Sequence, residues 1–320
     1  MRNVTKAWAA AGLIVVSFGL AGCQDMGNQA PKTTPDVALQ EGLTKLSSLT
    51  SYTYNIALKG DLKGPAGQPP AKVTFNATLG GNIDTKDAKD PKFNLALKGT
   101  MDADADGGDA DLTLRMNKDS LYVNIKDLQG RGAISIPDDM KKQILGQWWS
   151  LPIPPATLDE LTKSLPQGNS DATMTDEQKK MKALVEATKF FSNVAFVDTV
   201  TVSGEQSDHY TGVLDKAAFI DFIVKAAELQ GKTVSDTEKA DMTKSFDSFD
   251  FSGDFYVGRD SGVLNQVKGN LTIKENADKS SPSGQVTLEG SLADFNKAMT
   301  VEVPADAKPI PPEALSSLPV

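Results

Sequence analysis

From Tyr52 to Ile125, apolar residues return at every second position in five successive runs. They are Tyr52, Tyr54, Ile56 and Leu58; Val73, Phe75, Ala77 and Leu79; Phe93, Leu95 and Leu97; Leu112, Leu114 and Met116; and Leu121, Val123 and Ile125. The residues between them are mostly Thr, Asn, Lys and Asp. A period of two means strands with one apolar face and one wet face, which is the pattern of an antiparallel sheet. Asn117-Lys118-Asp119-Ser120 carries the turn chemistry that joins the last two runs.

The period changes on either side of this block. Thr34 reads as an N-cap with Pro35 at the first helical position, ahead of Leu39, Leu43 and Leu46 at helical spacing. The middle of the chain predicts more helices. Thr157 and Glu160 form a capping box before Leu161 and Leu165, and Thr175 and Gln178 form another before Met181, Leu184 and Val185. Asp215 caps a helix whose Phe219, Phe222, Ile223 and Ala226 make a wide apolar stripe, broadened by Ile220 and Val224. Ser235 and Glu238 open a shorter helix.

Further strands are predicted at 147–151, 194–202 and 208–214, then around Phe249 to Val257, Val263 to Ile273, Val286 to Leu292, and Val301 to Val303. Gly258-Arg259-Asp260-Ser261-Gly262 supplies a turn. The total is about twelve strands and five helices, with no fixed-period repeat. So many antiparallel strands must curl. The expected fold class is α+β: a curved, unclosed antiparallel β-barrel of two meanders, with helices packed in its concave side.

The N-terminus reads as an address. Arg2 and Lys6 precede an uncharged, mostly apolar stretch from Ala7 to Gly22. That is shorter than the ~20 residues a membrane span needs and fits a signal-peptide core. It ends in Leu20-Ala21-Gly22-Cys23, which resembles the lipobox of bacterial lipoproteins. The resemblance implies peptidase recognition at Leu20, Ala21 and Gly22, and a diacylglycerol thioether on Cys23, the only Cys in the chain. Two or more acyl chains, at ~0.8 kcal/mol per buried CH₂, hold a protein at a bilayer. The expected division is a signal peptide at 1–22, lipidated Cys23 and linker at 23–36, one domain at 37–307, and a Pro-rich tail at 308–320. The expected location is extracytoplasmic, anchored by lipid to the outer face of the cytoplasmic membrane or to the outer membrane.

The order of elements, with Asp119-Ser120-Leu121-Tyr122-Val123-Asn124-Ile125, Gly146-Gln147-Trp148-Trp149 and Phe255-Tyr256-Val257-Gly258-Arg259-Asp260-Ser261-Gly262-Val263-Leu264, resembles the LolA-like superfamily of bacterial lipoproteins. Within it, the LppX/LprG group of mycobacterial-type lipoproteins is nearest. The resemblance implies an unclosed barrel lined by helices, with a hydrophobic cavity for acyl chains. The long polar hairpins at 61–71 and 102–111 depart from the compact members.

Composition narrows the chemistry. A net charge of −9 disfavours nucleic acid. One His and one Cys exclude a Cys/His zinc site and a disulfide within the chain. Asp102, Asp104 and Asp106, followed by Gly107, have the opening of a calcium loop, but the twelfth position is Thr113 and the bidentate Glu is missing. A solvated acidic hairpin tip accounts for the same residues. His209 stands beside Tyr210 with no nucleophile motif and reads as a strand residue. Trp148 and Trp149 point to opposite faces if extended. Asp138-Asp139 and Asp159-Glu160 sit at helix starts, where the dipole favours negative charge. No clustered polar site speaks for an enzyme, and no cofactor is expected beyond the Cys23 lipid.

Two functions stay open. The first is a lipoprotein that binds a lipid or another hydrophobic ligand in a cavity lined by Phe219, Phe222, Ile223, Phe251 and Phe255. The second is an envelope-structural or protein-interaction lipoprotein whose core is closed and dry. The membrane lipid is a partner through the anchor in both; no protein partner is indicated.

Overall fold

The computed structural model describes residues 33–310, apart from 47, 66, 68, 88, 105, 133–137, 155, 156, 158–174 and 276–281. The capping box at Thr157 and Glu160, the Cys23 motif and the tail from 311 onward therefore lie outside the described residues or at their margin.

Twelve strands form one sheet: β1 (Ser51–Lys63), β2 (Lys72–Asp84), β3 (Lys92–Ala103), β4 (Asp106–Met116), β5 (Ser120–Arg131), β6 (Trp148–Pro152), β7 (Phe191–Val202), β8 (Glu205–Leu214), β9 (Phe249–Gly258), β10 (Leu264–Ile273), β11 (Ser283–Ala293) and β12 (Lys308–Pro309). Five helices are described: α1 (Pro35–Leu46), α2 (Asp138–Ile144), α3 (Asp176–Ala187), α4 (Lys216–Leu229) and α5 (Asp236–Asp247). The strand order is β12-β6-β5-β4-β3-β2-β1-β11-β10-β9-β8-β7. Its ends are two different strands, so the sheet is unclosed, and each meander runs through sequence neighbours. The fold class is α+β, as the two periodicities predict.

The helix starts follow the sequence signals. Ala38 N donates to Thr34 O at 3.0 Å. In the box before α3, Gln178 N donates to Thr175 Oγ1 at 3.2 Å and Thr175 N donates to Gln178 Oε1 at 2.9 Å. Ala218 N donates to Asp215 Oδ1 at 3.0 Å ahead of α4. Ser235 N donates to Glu238 Oε2 at 2.8 Å, and that bond holds the Glu238 carboxyl below its usual range. Each side chain occupies backbone groups that a helix end leaves unpaired.

One expected strand is absent. Val301 to Val303 is irregular, and its backbone is held by side chains: Met299 N donates to Asp84 Oδ2 at 3.1 Å, and Arg115 Nη1 donates to Glu302 O at 2.9 Å. Pro304 ends the run and offers no N–H to a ladder. The twelfth strand is instead Lys308–Pro309, paired parallel with Trp149 and Ser150.

The chain forms two compact units. The first holds α1, α3, α4, β7, β8, α5 up to Phe246, and Asp254–Gln266. Here α1 packs beside β7 and α3, and α3 packs beside α4. Gly42 of α1 sits so close to Val257 that a Cβ there would fall 2.9 Å from its side chain. The second unit holds β1 to β6, β11, β12, α2 and the remaining parts of β9 and β10.

Candidate functional site

In the second unit, register turns the five apolar runs into rows across the sheet. One row is Gly290, Ile56, Leu79, Leu97, Leu112 and Ile125, from β11 to β5. The next is Leu292, Tyr54, Gly81, Leu95, Leu114, Val123 and Trp149. On the other side of the first row lies Leu288, Leu58, Ala77, Gly99, Ala110 and Leu128. Tyr52, Ile83, Phe93, Met116, Leu121 and Leu151 make an outer row. A bulge leaves Lys126 of β5 unpaired between Ile125 and Asp127, which brings Leu128 back to the apolar face opposite Ala110. No charged side chain stands in these four rows.

The exposure of this face is its distinctive property. Tyr54 and Met116 are fully buried, at 8% and 2%. Ile56, Leu58, Leu79, Leu95, Leu97, Leu112, Leu114, Val123, Ile125, Leu288 and Leu292 are all only half-buried. On the opposite face Asn55, Lys59, Thr78, Ala96, Lys98 and Thr287 are exposed. The apolar rows thus form a continuous aliphatic surface that its own unit covers only in part. Seven strands at ~4.8 Å spacing make it about 29 Å wide. The row containing Ala77, Gly99 and Ala110 is low, between taller Leu79, Leu97 and Leu112 on one side and Phe75 and Met101 on the other. At Gly290, a Cβ would meet nothing within 4 Å.

The five cavity residues expected from sequence are divided between the units. Phe251 belongs to the second. It is 8% exposed, and its ring covers Gly269, where a Cβ would fall 2.5 Å from it. Phe219, Phe222, Ile223 and Phe255 belong to the first unit. There the rings pack on one another: Phe190 lies 6.3 Å from Phe219 and 5.0 Å from Phe222, Phe246 lies 5.5 Å from Phe219, and Phe191 lies 4.4 Å from Phe255. Ile223 is half-buried. The aliphatic face went unselected at the sequence level, although its residues carried the clearest period. Alternation names the inward residues of a strand but does not tell whether anything lies on them.

The other singled-out residues have structural partners. Asp102 forms an ion pair with Arg131, and Asp104, at φ 51, accepts from Ala71 N. Asp106 begins β4 opposite Ala103. Among the described residues no three His, Cys, Asp or Glu side chains gather as metal ligands would. His209 Nδ1 lies 3.0 Å from Asp198 Oδ1, its Nε2 lies 2.8 Å from Asp254 Oδ1, and the ring stacks on Tyr256 at 4.5 Å. Both ring nitrogens face carboxylates, so the ring bridges Asp198 of β7 and Asp254 of β9. Trp149 Nε1 donates to Ile144 O at 3.3 Å from the apolar face, while Trp148 stands on the polar face under Arg115, 4.8 Å from the guanidinium. Asp138 and Asp139 lie in the first turn of α2.

No protein-family model matches the chain, and no curated protein matches it. Solved structures do. The chain is similar to the Mycobacterium tuberculosis lipoprotein LppX, at 12% identity and a TM-score of 0.33, over 84% of this chain and 100% of that one. It is similar to LprF from Mycobacterium bovis, at 12% identity and a TM-score of 0.35, over 87% and 100%. A β-barrel-like protein of unknown function from Brucella abortus follows at 11% and 0.26, over 78% and 100%. At these values the function has to be argued from the chain's own residues.

Proposed function

We propose that this protein is a membrane-anchored extracytoplasmic lipoprotein that binds a lipid or similar hydrophobic ligand on the aliphatic face of its second unit, as a carrier or sensor. One observation carries the reading: a broad sheet face without charge, whose leucines and isoleucines are only partly buried. Binding there is passive. Hydrocarbon replaces water, and no bond is made or broken. At ~0.8 kcal/mol per buried methylene, about twenty methylenes contribute ~16 kcal/mol. That exceeds an association cost of ~4–15 kcal/mol, which a small apolar solute would not offset. Long acyl chains fit this requirement.

Gly290 offers the test, because the face is open above it. Native mass spectrometry of the full chain is expected to show co-purifying lipid. Gly290→Phe should remove most of that mass while the circular dichroism and melting temperature stay near wild type; Gly290→Ala should keep it. A bare mass for the wild type under gentle conditions would instead favour the dry, structural alternative.

Anchoring is tested separately. Cys23→Ala is expected to move the protein from the membrane pellet to the soluble fraction. Among the described residues no helix is long and apolar enough to cross a membrane. Retention of the variant in the pellet would refute lipidation as the tether.

A further inference from the structure

Five large apolar side chains stand in the open among the described residues, and four of them belong to the first unit. They are Val37 of α1, Phe196 and Val197 of β7, and Val213 of β8, between 38% and 49% exposed. Connectivity places them along one margin. β7 is the last strand of the sheet, and α1 packs beside it. Lys189, just ahead of β7, pairs with Asp36 at 3.0 Å, which brings Val37 to the start of that strand. Val213 pairs opposite Ser192, and Val197 follows about 16 Å further along at ~3.3 Å per residue. Charged groups on this margin have partners of their own: Asp36 has Lys189, and Asp198 Oδ1 lies 3.0 Å from His209 Nδ1.

We propose that this margin of the first unit rests on the bilayer surface, and that a phospholipid interface is what covers it. The inference rests on the lipid anchoring proposed above. Two occupants compete for an exposed edge strand: a further strand, or an apolar medium. At the other end of the sheet, β12 is only Lys308 and Pro309, which blunts that edge. β7 is twelve residues long and relies on a different device. Its ladder is broken twice: Asn193 and Val194 stand against Gly212 alone, and Val197 has no partner on β8. Bulges turn backbone groups out of line, so an added strand finds no continuous row to bond. The side chains of Phe196 and Val197 remain open all the same. The boundary of headgroups and acyl chains takes apolar side chains without asking for a ladder, and still has water for loose backbone groups. The tether reaches it: Pro35 lies twelve residues after Cys23, at most about 40 Å of extended chain. Two acyl chains already hold the protein, so the patch sets which way the first unit faces.

Cys23 is the only cysteine, so once it carries lipid an introduced cysteine alone takes a nitroxide label. Val197→Cys and Val213→Cys are labelled in the lipidated chain on dioleoylphosphatidylcholine vesicles. Thr287→Cys, exposed on the polar face of the second unit, is the control. The same labels in chains carrying Cys23→Ala, free in solution, serve as the reference. Access of a water-soluble nickel chelate, read by EPR saturation, is expected to fall at least about three-fold at 197 and 213 on the vesicles and to keep its reference value at 287. Val197→Asp should restore access at 213, because a carboxylate resists leaving water. Unchanged access at 197 and 213, in a chain that sediments with the vesicles, overturns the docking face, and so does an equal fall at 287. Protection that appears in the soluble reference and grows with protein concentration assigns the margin to a second copy of the chain instead. If the lipid-bearing chain stays off the vesicles, the anchoring reading itself fails, and the docking face with it.

Discussion

Phe255→Ala is expected to destabilise the protein by about 3–5 kcal/mol, the range for an aromatic ring removed from a packed core. Phe255 is 1% exposed. Its ring lies 4.4 Å from that of Phe191 and 3.4 Å from where a Cβ of Gly212 would stand. Little room exists for neighbours to collapse into the space left behind. At roughly 2–4 °C per kcal/mol for a chain of this size, the melting temperature should fall by about 10 °C. The same truncation of Leu112, half-buried on the aliphatic face, should cost much less, because that side chain keeps part of its contact with water. The pair of variants therefore separates core from ligand surface by thermal melting alone. If Phe255→Ala melts within 2 °C of wild type, Phe255 borders open space, and the aromatic cluster of the first unit returns as a candidate cavity.

Alkaline pH should destabilise the protein in part through two buried phenols. Tyr54 and Tyr210 are 8% and 2% exposed, and both are pushed up to about 12. For Tyr54 the cause is burial, then the neighbouring Tyr52. For Tyr210 it is burial, then the charge of Asp208, partly offset by Arg259. Unfolded, each phenol titrates near 10. Between 10 and 12 the unfolded chain gives up protons that the folded chain retains. The stability these tyrosines contribute is thus complete below pH 10 and is lost as pH rises through 12. At ~1.4 kcal/mol per pH unit, each accounts for up to about 3 kcal/mol, a large share of the ~5–15 kcal/mol that holds a domain. Urea midpoints measured at pH 9 and pH 11.5 should fall steeply for wild type and less for Tyr54→Phe. Lysine titration is common to both proteins, so the difference reports the phenol. Equal falls would show that Tyr54 ionises freely in the fold.

Much of the architecture was legible beforehand because it depends on short-range chemistry. The caps at Thr175, Asp215 and Ser235 satisfy backbone groups within three residues of themselves, so their sequence signals and bonds agree. The strand runs are legible for the same reason: alternation is a property of each strand alone. Val301 to Val303 misled because two valines spaced by one residue carry the period without enough neighbours to form a ladder. The candidate site was harder to see. Phenylalanines on a helix apolar around most of its girth drew the eye, while the leucines of the meander looked like ordinary sheet core.

Residue order by itself determined which side of each strand is greasy and where three of the helices begin. Tertiary structure decided that Gly290, Ile56, Leu79, Leu97, Leu112 and Ile125 stand in one row, that β1 lies beside β11, and that the row is left half open while the phenylalanines around α4 close on one another. The reason is range. Face and cap are set by neighbours a few bonds away, whereas strand order and ring packing are set by segments tens to hundreds of residues distant, whose arrival no local period records.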